Sequence, residues 1–409
     1  MTAMDYVKRS HRRRGFRAGL LAAGLLAAGG LAAGLAQAAG LEAGTTYKIG
    51  WSTDKTNYLS FVDEPLHKGM LVAIDEINAQ GGIGGKVKIE LDARDMKADP
   101  MLGATVVQEL IAAGANFIVT TCDTDVSLPG AQIAASKQLP VMSSCGADAA
   151  GPSQVKGEFA FLNVPGTLSQ GAALAEYAHR KGYKKAYTLK SKTEGYTHTL
   201  AQAFEDRFTE LGGTIVGRAS YTIGDTNYRV TATKMVNSGA DVIMTNTFPP
   251  DTTAFLKDLE RVGNKAPLLL VDGNDTPVVF EAGPQLDIST MTTYGGDRSA
   301  GSAFARFEEL YAKKFGNPPE SLQTALGYDL IVVVAAAVKA AGTTDGEAVA
   351  MALNNLENVQ GATGLISYKN SPVGRGLPKK DYAITTFDRA GKKFNVVELV
   401  WPEKIPAGR

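Results

Sequence analysis

Ile77-Asn78-Ala79-Gln80-Gly81-Gly82-Ile83-Gly84-Gly85 carries four glycines within five residues, between an amphipathic helical stretch and the β-rich run Lys86 to Leu91. Glycine takes positive φ at no steric cost, so such a run stops a helix and turns the chain back into a sheet. Taken alone it is punctuation that many folds use. Its neighbours give it meaning. Upstream, Tyr47 to Trp51 reads as a strand and Pro65 to Asn78 as a helix, with Leu66, Met70, Ala73, Ile74 and Ile77 on one face and Pro65 in the first turn. Downstream, the acidic strand Ile89-Glu90-Leu91-Asp92 leads to Asp99-Pro100, which opens a helix carrying Leu102, Val106, Leu110 and Ile111 at helical spacing.

The alternation continues with strands at Phe117 to Thr120 and Pro140 to Ser143. Around Pro165-Gly166 it restarts. Strands Lys185 to Leu189, Thr214 to Tyr221, Asp241 to Thr245 and Leu268 to Val271 alternate with helices Thr197 to Leu211, Tyr228 to Ser238 and Thr252 to Val262. Alternating β and α elements predict parallel sheets covered by helices on both faces. Two successive units of similar size predict two lobes. Thr290 to Tyr294 reads as a further strand, Gly301 to Phe315, Leu322 to Ala341 and Gly346 to Leu356 as helices, and Tyr382 to Asp388 and Phe394 to Leu399 as the last strands.

The order strand, helix, glycine turn, acidic strand and Asp-Pro-capped helix resembles the start of the branched-chain amino acid (Leu/Ile/Val) type of periplasmic solute-binding protein of ABC importers. The resemblance implies an α/β protein of the type I periplasmic binding fold, two Rossmann-like lobes with parallel-core sheets joined by a three-crossing hinge. It divides the chain into lobe 1 (45–164 plus 295–366), lobe 2 (165–294 plus 378–401) and a hinge crossing at 367–377, with the other crossings near Pro165 and Tyr294.

The amino end fits an exported protein. A basic stretch, Lys8-Arg9-Ser10-His11-Arg12-Arg13-Arg14, precedes the apolar segment Ala18 to Leu35 and the small-residue exit Ala36-Gln37-Ala38. That is the layout of a signal peptide over residues 1–38, cleaved near Ala38, with a membrane anchor as the rival reading. Arg13-Arg14-Gly15-Phe16 also resembles a twin-arginine signal. Residues 1–38 hold six of the 42 Lys+Arg and one of the 42 Asp+Glu, which leaves 36 against 41 and a net charge of −5. A mildly acidic chain with no basic patch is a poor partner for nucleic acid. About 370 residues remain, enough for two domains of ordinary size. Leu330 to Ala341 is the longest other apolar run, and its length and Lys339 predict a buried helix.

Cys122 and Cys145 are the only cysteines, and each follows a short apolar run. In an oxidising compartment the pair reads as one disulfide if those runs are neighbouring strands. The alternative, a nucleophilic Cys145, needs a base, and His67, His179 and His198 stand in no recognisable pairing with it.

Open parallel sheets bind ligands at the carboxyl ends of their strands. That rule selects Ser52 to Ser60, Cys122 to Ser127 and Ser144 to Asp148 in one lobe, and Glu194-Gly195-Tyr196, Asn246 to Pro249 and Asp272 to Asp275 in the other. Each of these loops is also what turns and caps are made of. Their recurrence after strand upon strand is the argument for a site. In the resembled family the loops matching Cys122 to Val126 and Ser144 to Asp148 hold the ligand's carboxylate, and an acid matched here by Asp272 holds its ammonium. The resemblance places aromatics at Tyr58 and Phe248, puts Tyr196 in the loop that closes over the cleft, sets Asp123 or Thr124 where serine is usual, and matches Ala147. Asp148 departs, since threonine is usual there, and a carboxylate at that point would repel a ligand carboxylate unless one were protonated or a cation intervened.

The sequence therefore predicts a receptor that needs no cofactor and does no covalent chemistry. It binds a small polar solute, of branched-chain amino acid type or else an amide, urea, polyol or aromatic acid, and delivers it to an ABC permease in the cytoplasmic membrane. A monomer is expected, since a receptor that opens and closes needs its surface free. An enzyme finds little support, with no G-x-S-x-G, no H-E-x-x-H and no complete P-loop, because Gly85-Lys86 is followed by Val87. Asp123-x-Asp125 with Asp148 lacks the glycine and terminal glutamate of an EF-hand loop, so no metal site is expected. A ligand sensor feeding a signalling receptor is the remaining class.

Overall fold

The computed structural model describes residues 41–146, 151–193 and 195–408. The expected signal peptide, Ala147, Asp148 and Glu194 lie outside the described residues. Two sheets organise the chain. The first has five parallel strands in the order β2-β1-β3-β4-β5, formed by β1 (Thr46–Thr53), β2 (Lys88–Asp95), β3 (Phe117–Thr120), β4 (Val141–Ser143) and β5 (Ala160–Leu162). Between them run α1 (Ser60–Ala79), α2 (Pro100–Ala112) and α3 (Thr124–Ser136). Helices cover both faces, which is why the strands are apolar on both sides. Tyr47, Ile49, Trp51 and Phe117 pack towards α1, while Ile118 and Val141 pack towards Val106, Val107 and Leu110 of α2 and Val126 and Ala134 of α3.

The second sheet has seven strands in the order β14-β13-β10-β9-β8-β6-β7. Its parallel core comprises β6 (Lys185–Ser191), β7 (Thr214–Tyr221), β8 (Val242–Thr245), β9 (Leu268–Leu270) and β10 (Ser289–Thr293), connected through α4 (Thr167–Arg180), α5 (Gly195–Glu210), α6 (Arg229–Val236) and α7 (Asp251–Arg261). The antiparallel hairpin β13 (Tyr382–Asp388) and β14 (Lys393–Val400) closes the edge beside β10. Between β10 and β13 lie α8 (Ala303–Phe315), α9 (Thr324–Ala341), α10 (Gly346–Asn354) and the small hairpin of β11 (Val359–Gly361) and β12 (Gly364–Ile366).

The glycine run acts as its composition predicts. Gly81, Gly82, Gly84 and Gly85 all have positive φ, and Ile83 pairs with Val87 across the turn, so β2 begins at Lys88 rather than at Lys86. Asp99 caps α2, its carboxylate accepting from the N–H groups of Met101 and Leu102, with Pro100 in the first turn. The start of α1 differs from expectation. α1 begins at Ser60, and Pro65 lies inside it. The Asp54 carboxylate gathers the N–H groups of Thr56, Asn57 and Leu59, so the chain is wound up five residues before the proline. Pro65 forfeits only its own bond back to the carbonyl of Phe61.

Leu330 to Ala341 is part of α9, which is long and apolar enough to cross a membrane by composition, with a mean hydropathy of 1.7. It is a core helix here. Leu326, Leu330, Ile331, Val334 and Val338 pack with Leu66 and Met70 of α1 beneath the first sheet. The two helices cross backbone to backbone. A Cβ at Gly69 would stand 1.8 Å from the carbonyl oxygen of Thr324, and one at Gly327 would stand 1.9 Å from that of Leu66. α9 therefore belongs with the first sheet, although it follows ten strands in sequence. α8 touches both halves, sharing a core with the second sheet through Phe304 and Phe307 while Arg306 and Lys314 pair with Glu76 and Asp75 of α1.

The chain passes between the sheets after β5, after β10 and between β12 and β13. These passages are bonded together. The Tyr382 hydroxyl donates to the carbonyl of Gly166 at 2.9 Å and lies 2.8 Å from Ser169 Oγ, while its ring packs on Tyr294 at 5.5 Å between centroids. The third passage is stapled to the first half by Leu162, whose N–H donates to the carbonyl of Gly376, and by the buried pair Lys380–Asp329 at 2.8 Å.

Candidate functional site

Strand order locates the site. In the first sheet the chain reverses direction beside β1, so the connections after β1 and β3 leave on opposite faces and open a crevice between them. In the second sheet the same reversal occurs beside β6, between the connections after β6 and β8. Both crevices open at carboxyl ends of strands, and together they line one cleft of about 980 Å³, including the part open to solvent.

On the first side, the connection after β1 is held from below by a buried carboxylate. Asp63 Oδ2 accepts from Thr53 Oγ1 at 2.9 Å, Asp54 N at 2.8 Å and Thr121 Oγ1 at 2.8 Å, and burial pushes its carboxyl up to about 7. This clamp presents Tyr58, 56 % exposed, to the cleft, with its hydroxyl donating to Asp123 Oδ2 at 3.2 Å. Asp123 is the N-cap of α3: its Oδ1 accepts from Asp125 N and Val126 N. Thr124 and Asp125 line the cleft from the first turn of that helix, where a free loop was expected. Cys122 and Cys145 form a disulfide across the ends of neighbouring β3 and β4, with Cα atoms 4.6 Å apart, and both face the cleft. A bonded Cys145 is no nucleophile.

On the second side, Asp272 opens the turn after β9 and is only 8 % exposed. Its Oδ1 accepts from Tyr196 Oη at 2.5 Å and Gln170 Nε2 at 2.8 Å, and Gln323 Nε2 donates to its main-chain carbonyl at 2.5 Å. Burial raises its carboxyl above the ordinary range, and the bonds from Tyr196 and Gln170 pull it part of the way back. No other described residue bonds Oδ2 or forms an ion pair with it; the one further hydrogen bond to the carboxylate comes from Asp272's own main-chain N–H. Tyr196 lies in the first turn of α5 rather than in a loop, and Phe248 stands in the connection after β8 against Gly273.

A family model described as periplasmic binding protein matches residues 46–392. The chain belongs to the periplasmic binding protein family. It is 25 % identical over 326 residues, 79 % of this chain and 87 % of the other, to the Leu/Ile/Val-binding protein homolog 3 of Brucella melitensis biotype 1. Its fold matches the branched-chain amino acid transporter substrate-binding protein LivJ of Streptococcus pneumoniae, solved in complex with isoleucine, at a TM-score of 0.76 and 22 % identity, covering 88 % of this chain and 100 % of that one. It also matches an ABC transporter solute-binding protein of R. palustris in complex with 4-hydroxybenzoate, at a TM-score of 0.75 and 18 % identity, covering 88 % and 98 %. The two solved structures are binding proteins of transporters.

Within this periplasmic binding protein, Tyr58, Asp123, Thr124, Tyr196, Phe248 and Asp272 line the same cleft. Ala147 and Asp148 lie outside the described residues. Four cleft or supporting residues escaped the sequence reading. Phe61 and Val62 enter from the first turn of α1, which Pro65 had hidden. Gln170 and Gln323 hold Asp272 from α4 and from the start of α9; a glutamine fully buried in an Ala/Gly/Leu helix is the signal for Gln170, and nothing local marks Gln323. All charged residues lining the described cleft are acids: Asp123, Asp125 and Asp272.

Proposed function

We propose that this chain is the extracytoplasmic receptor of an ABC importer, binding a small amine-bearing solute, amino acids and their relatives included, between its two lobes. The observation that carries the reading is Asp272. A buried carboxylate with one oxygen that no other described residue bonds, set among aromatic rings in a cleft at the switch points of both sheets, suits a cationic amine. Tyr58, Phe61 and Phe248 offer apolar and π surface for the rest of the solute. The three passages between the sheets serve as the hinge: the lobes close over the solute, and the closed form docks on a permease as a monomer. Residues 1–38 act as the cleaved export signal. The relatives' names point to branched-chain amino acids; an aromatic acid suits the acidic lining less well.

The test is a thermal-shift screen of the purified mature chain against amino acids, amines, amides, polyols and aromatic acids, followed by calorimetry. Saturation at about 100 times Kd stabilises by about 2.7 kcal/mol, which a melting scan resolves. An amine-bearing solute should raise Tm, and Asp272→Asn should abolish the shift. Undiminished affinity in Asp272→Asn, or no response to any of these classes, would sink the reading.

A further inference from the structure

Among the described residues, most donors that would receive a carboxylate in this cleft are already in use; those of Thr124, its N–H and hydroxyl, are the exception. Asp123 Oδ1 accepts from Asp125 N at 2.9 Å and Val126 N at 3.3 Å, and the main-chain carbonyl of Asp123 accepts from Ser127 N. At the neighbouring strand end, Ser144 N donates to the carbonyl of Thr120 and Gly146 N donates to Ser143 Oγ at 3.0 Å. An anion is drawn to a helix start by unpaired N–H groups and the positive end of the dipole. At α3 that end already holds two carboxylates, the cap Asp123 and Asp125 in the first turn. A ligand carboxylate bonded to Thr124 would lie beside both acids, and to reach the N–H groups of Asp125 and Val126 it would have to displace Asp123.

The cationic side is complementary. Asp272, more than nine-tenths buried, lines the cleft with an oxygen that no other described residue bonds. The rings of Tyr58, Phe61, Tyr196 and Phe248 line the same space, and ring faces attract ammonium groups. No Lys, Arg or His is among the described lining residues to balance a ligand carboxylate.

From this arrangement, and resting on the receptor reading above, we infer that the solute is an organic cation with no carboxylate: an amine or amino-acid amide with an apolar or aromatic body, its ammonium on Asp272 and its body among the rings. The free amino acid is the disfavoured member of each such pair. The rival arrangement keeps the amino acid and seats its carboxylate at the start of α5.

Calorimetry on the mature chain with matched probes separates these. On one skeleton the probes are 3-methylbutylamine, leucinamide, leucine and 4-methylpentanoate; on another they are tyramine, tyrosine and 3-(4-hydroxyphenyl)propanoate. The amine or amide should bind at least 30-fold more tightly than its amino acid in at least one series, and the plain acids should not bind. Asp123→Ser keeps a residue able to cap α3 while removing the charge. It should narrow the gap at least 10-fold by improving the amino acid. An amino acid or acid that matches or exceeds its amine in both series overturns the inference and leaves the receptor reading standing. Binding of none of the amines and amides also overturns it. If the acids and amino acids fail as well, and a wider screen of neutral solutes is silent, the receptor reading falls with it.

Discussion

The Tyr196 hydroxyl donates to Asp272 Oδ1 at 2.5 Å, tying the first turn of α5 to the turn after β9 across the floor of the cleft. The bond favours the ionised carboxylate, which burial alone would disfavour. A cationic solute needs that ionised form. Its affinity is therefore kept above the pKa of Asp272 and lost as pH falls through it.

Tyr196→Phe removes the bond and lets the carboxyl rise further. Binding of an amine ligand should weaken about tenfold near neutral pH, in line with the worth of a hydrogen bond to a charged group. The acid-side loss of affinity should also move to higher pH. Calorimetric titrations of both proteins between pH 4 and 8 check this, and superimposable pH profiles would remove Asp272 from the recognition of the charge.

The crossing of α1 and α9 makes a second, purely structural prediction. Gly69 and Gly327 let the helix backbones touch, and a methyl group at either meets a carbonyl oxygen of the other helix inside 2 Å. Gly69→Ala and Gly327→Ala should each cost about 3 kcal/mol by forcing the helices apart. Because both act on one contact, the double variant should lose clearly less than the sum. Denaturant unfolding of the three variants measures the coupling. Strict additivity would mean that the two glycines serve separate contacts.

The same pair of glycines shows where sequence reading stops. The glycine turn at 81–85, the Asp99-Pro100 cap and the alternation of elements are local signals, carried by φ preference, N–H satisfaction and hydrophobic period, and all were readable in the chain. That α9 returns to α1 depends on a contact between positions more than 250 residues apart, and Gly69 and Gly327 sit in their helices without any local mark. The cleft divides in the same way. The loops that carry Asp272, Tyr58 and Phe248 could be placed because strand ends are visible in sequence, and the family resemblance picked out the three residues within them. Phe61 could not, since a proline four residues on disguised the helix start. Asp123 was read as a candidate ligand contact, whereas its carboxylate is spent in part on capping α3, a role that appears only once the helix is seen to begin at Thr124.

Asp63 supplies a pH prediction. Its folded pKa, about 7, lies above that of an unfolded aspartate, so the native state holds the proton more tightly. The stability this confers is fully present below about pH 4 and is lost as pH rises towards 7. Asp275, raised to about 6 by burial, acts in the same direction. In Asp63→Asn the carbonyl can keep the three bonds that Oδ2 accepts, and the titration is gone. The stability of the variant relative to wild type should therefore rise between pH 4 and 7, by at most about 4 kcal/mol. Denaturant melts at several pH values give the difference, and a flat difference would mean that Asp63 ionises normally.

Lys380 and Asp329 are both fully buried, and they lock the third passage between the lobes to α9. Asp329 also accepts from Ala362 N and Thr363 Oγ1, so its carboxylate is the joint of three segments. Burial lowers the pKa of Lys380, and the facing Asp329 opposes that shift. Replacing Lys380 by Met leaves a buried carboxylate without its cation and should cost about 3–5 kcal/mol. Adding Asp329→Asn removes the stranded charge while keeping an acceptor for Ala362 and Thr363, so the double variant should recover most of the loss. Equal damage in the single and double variants would show that the Lys380 side chain matters through packing rather than charge. The recovered double variant then gives a clean test of the hinge. If the pair only stabilises, the double variant should bind solute with wild-type affinity; if it sets the balance between open and closed lobes, affinity should change while the melting temperature stays near that of wild type.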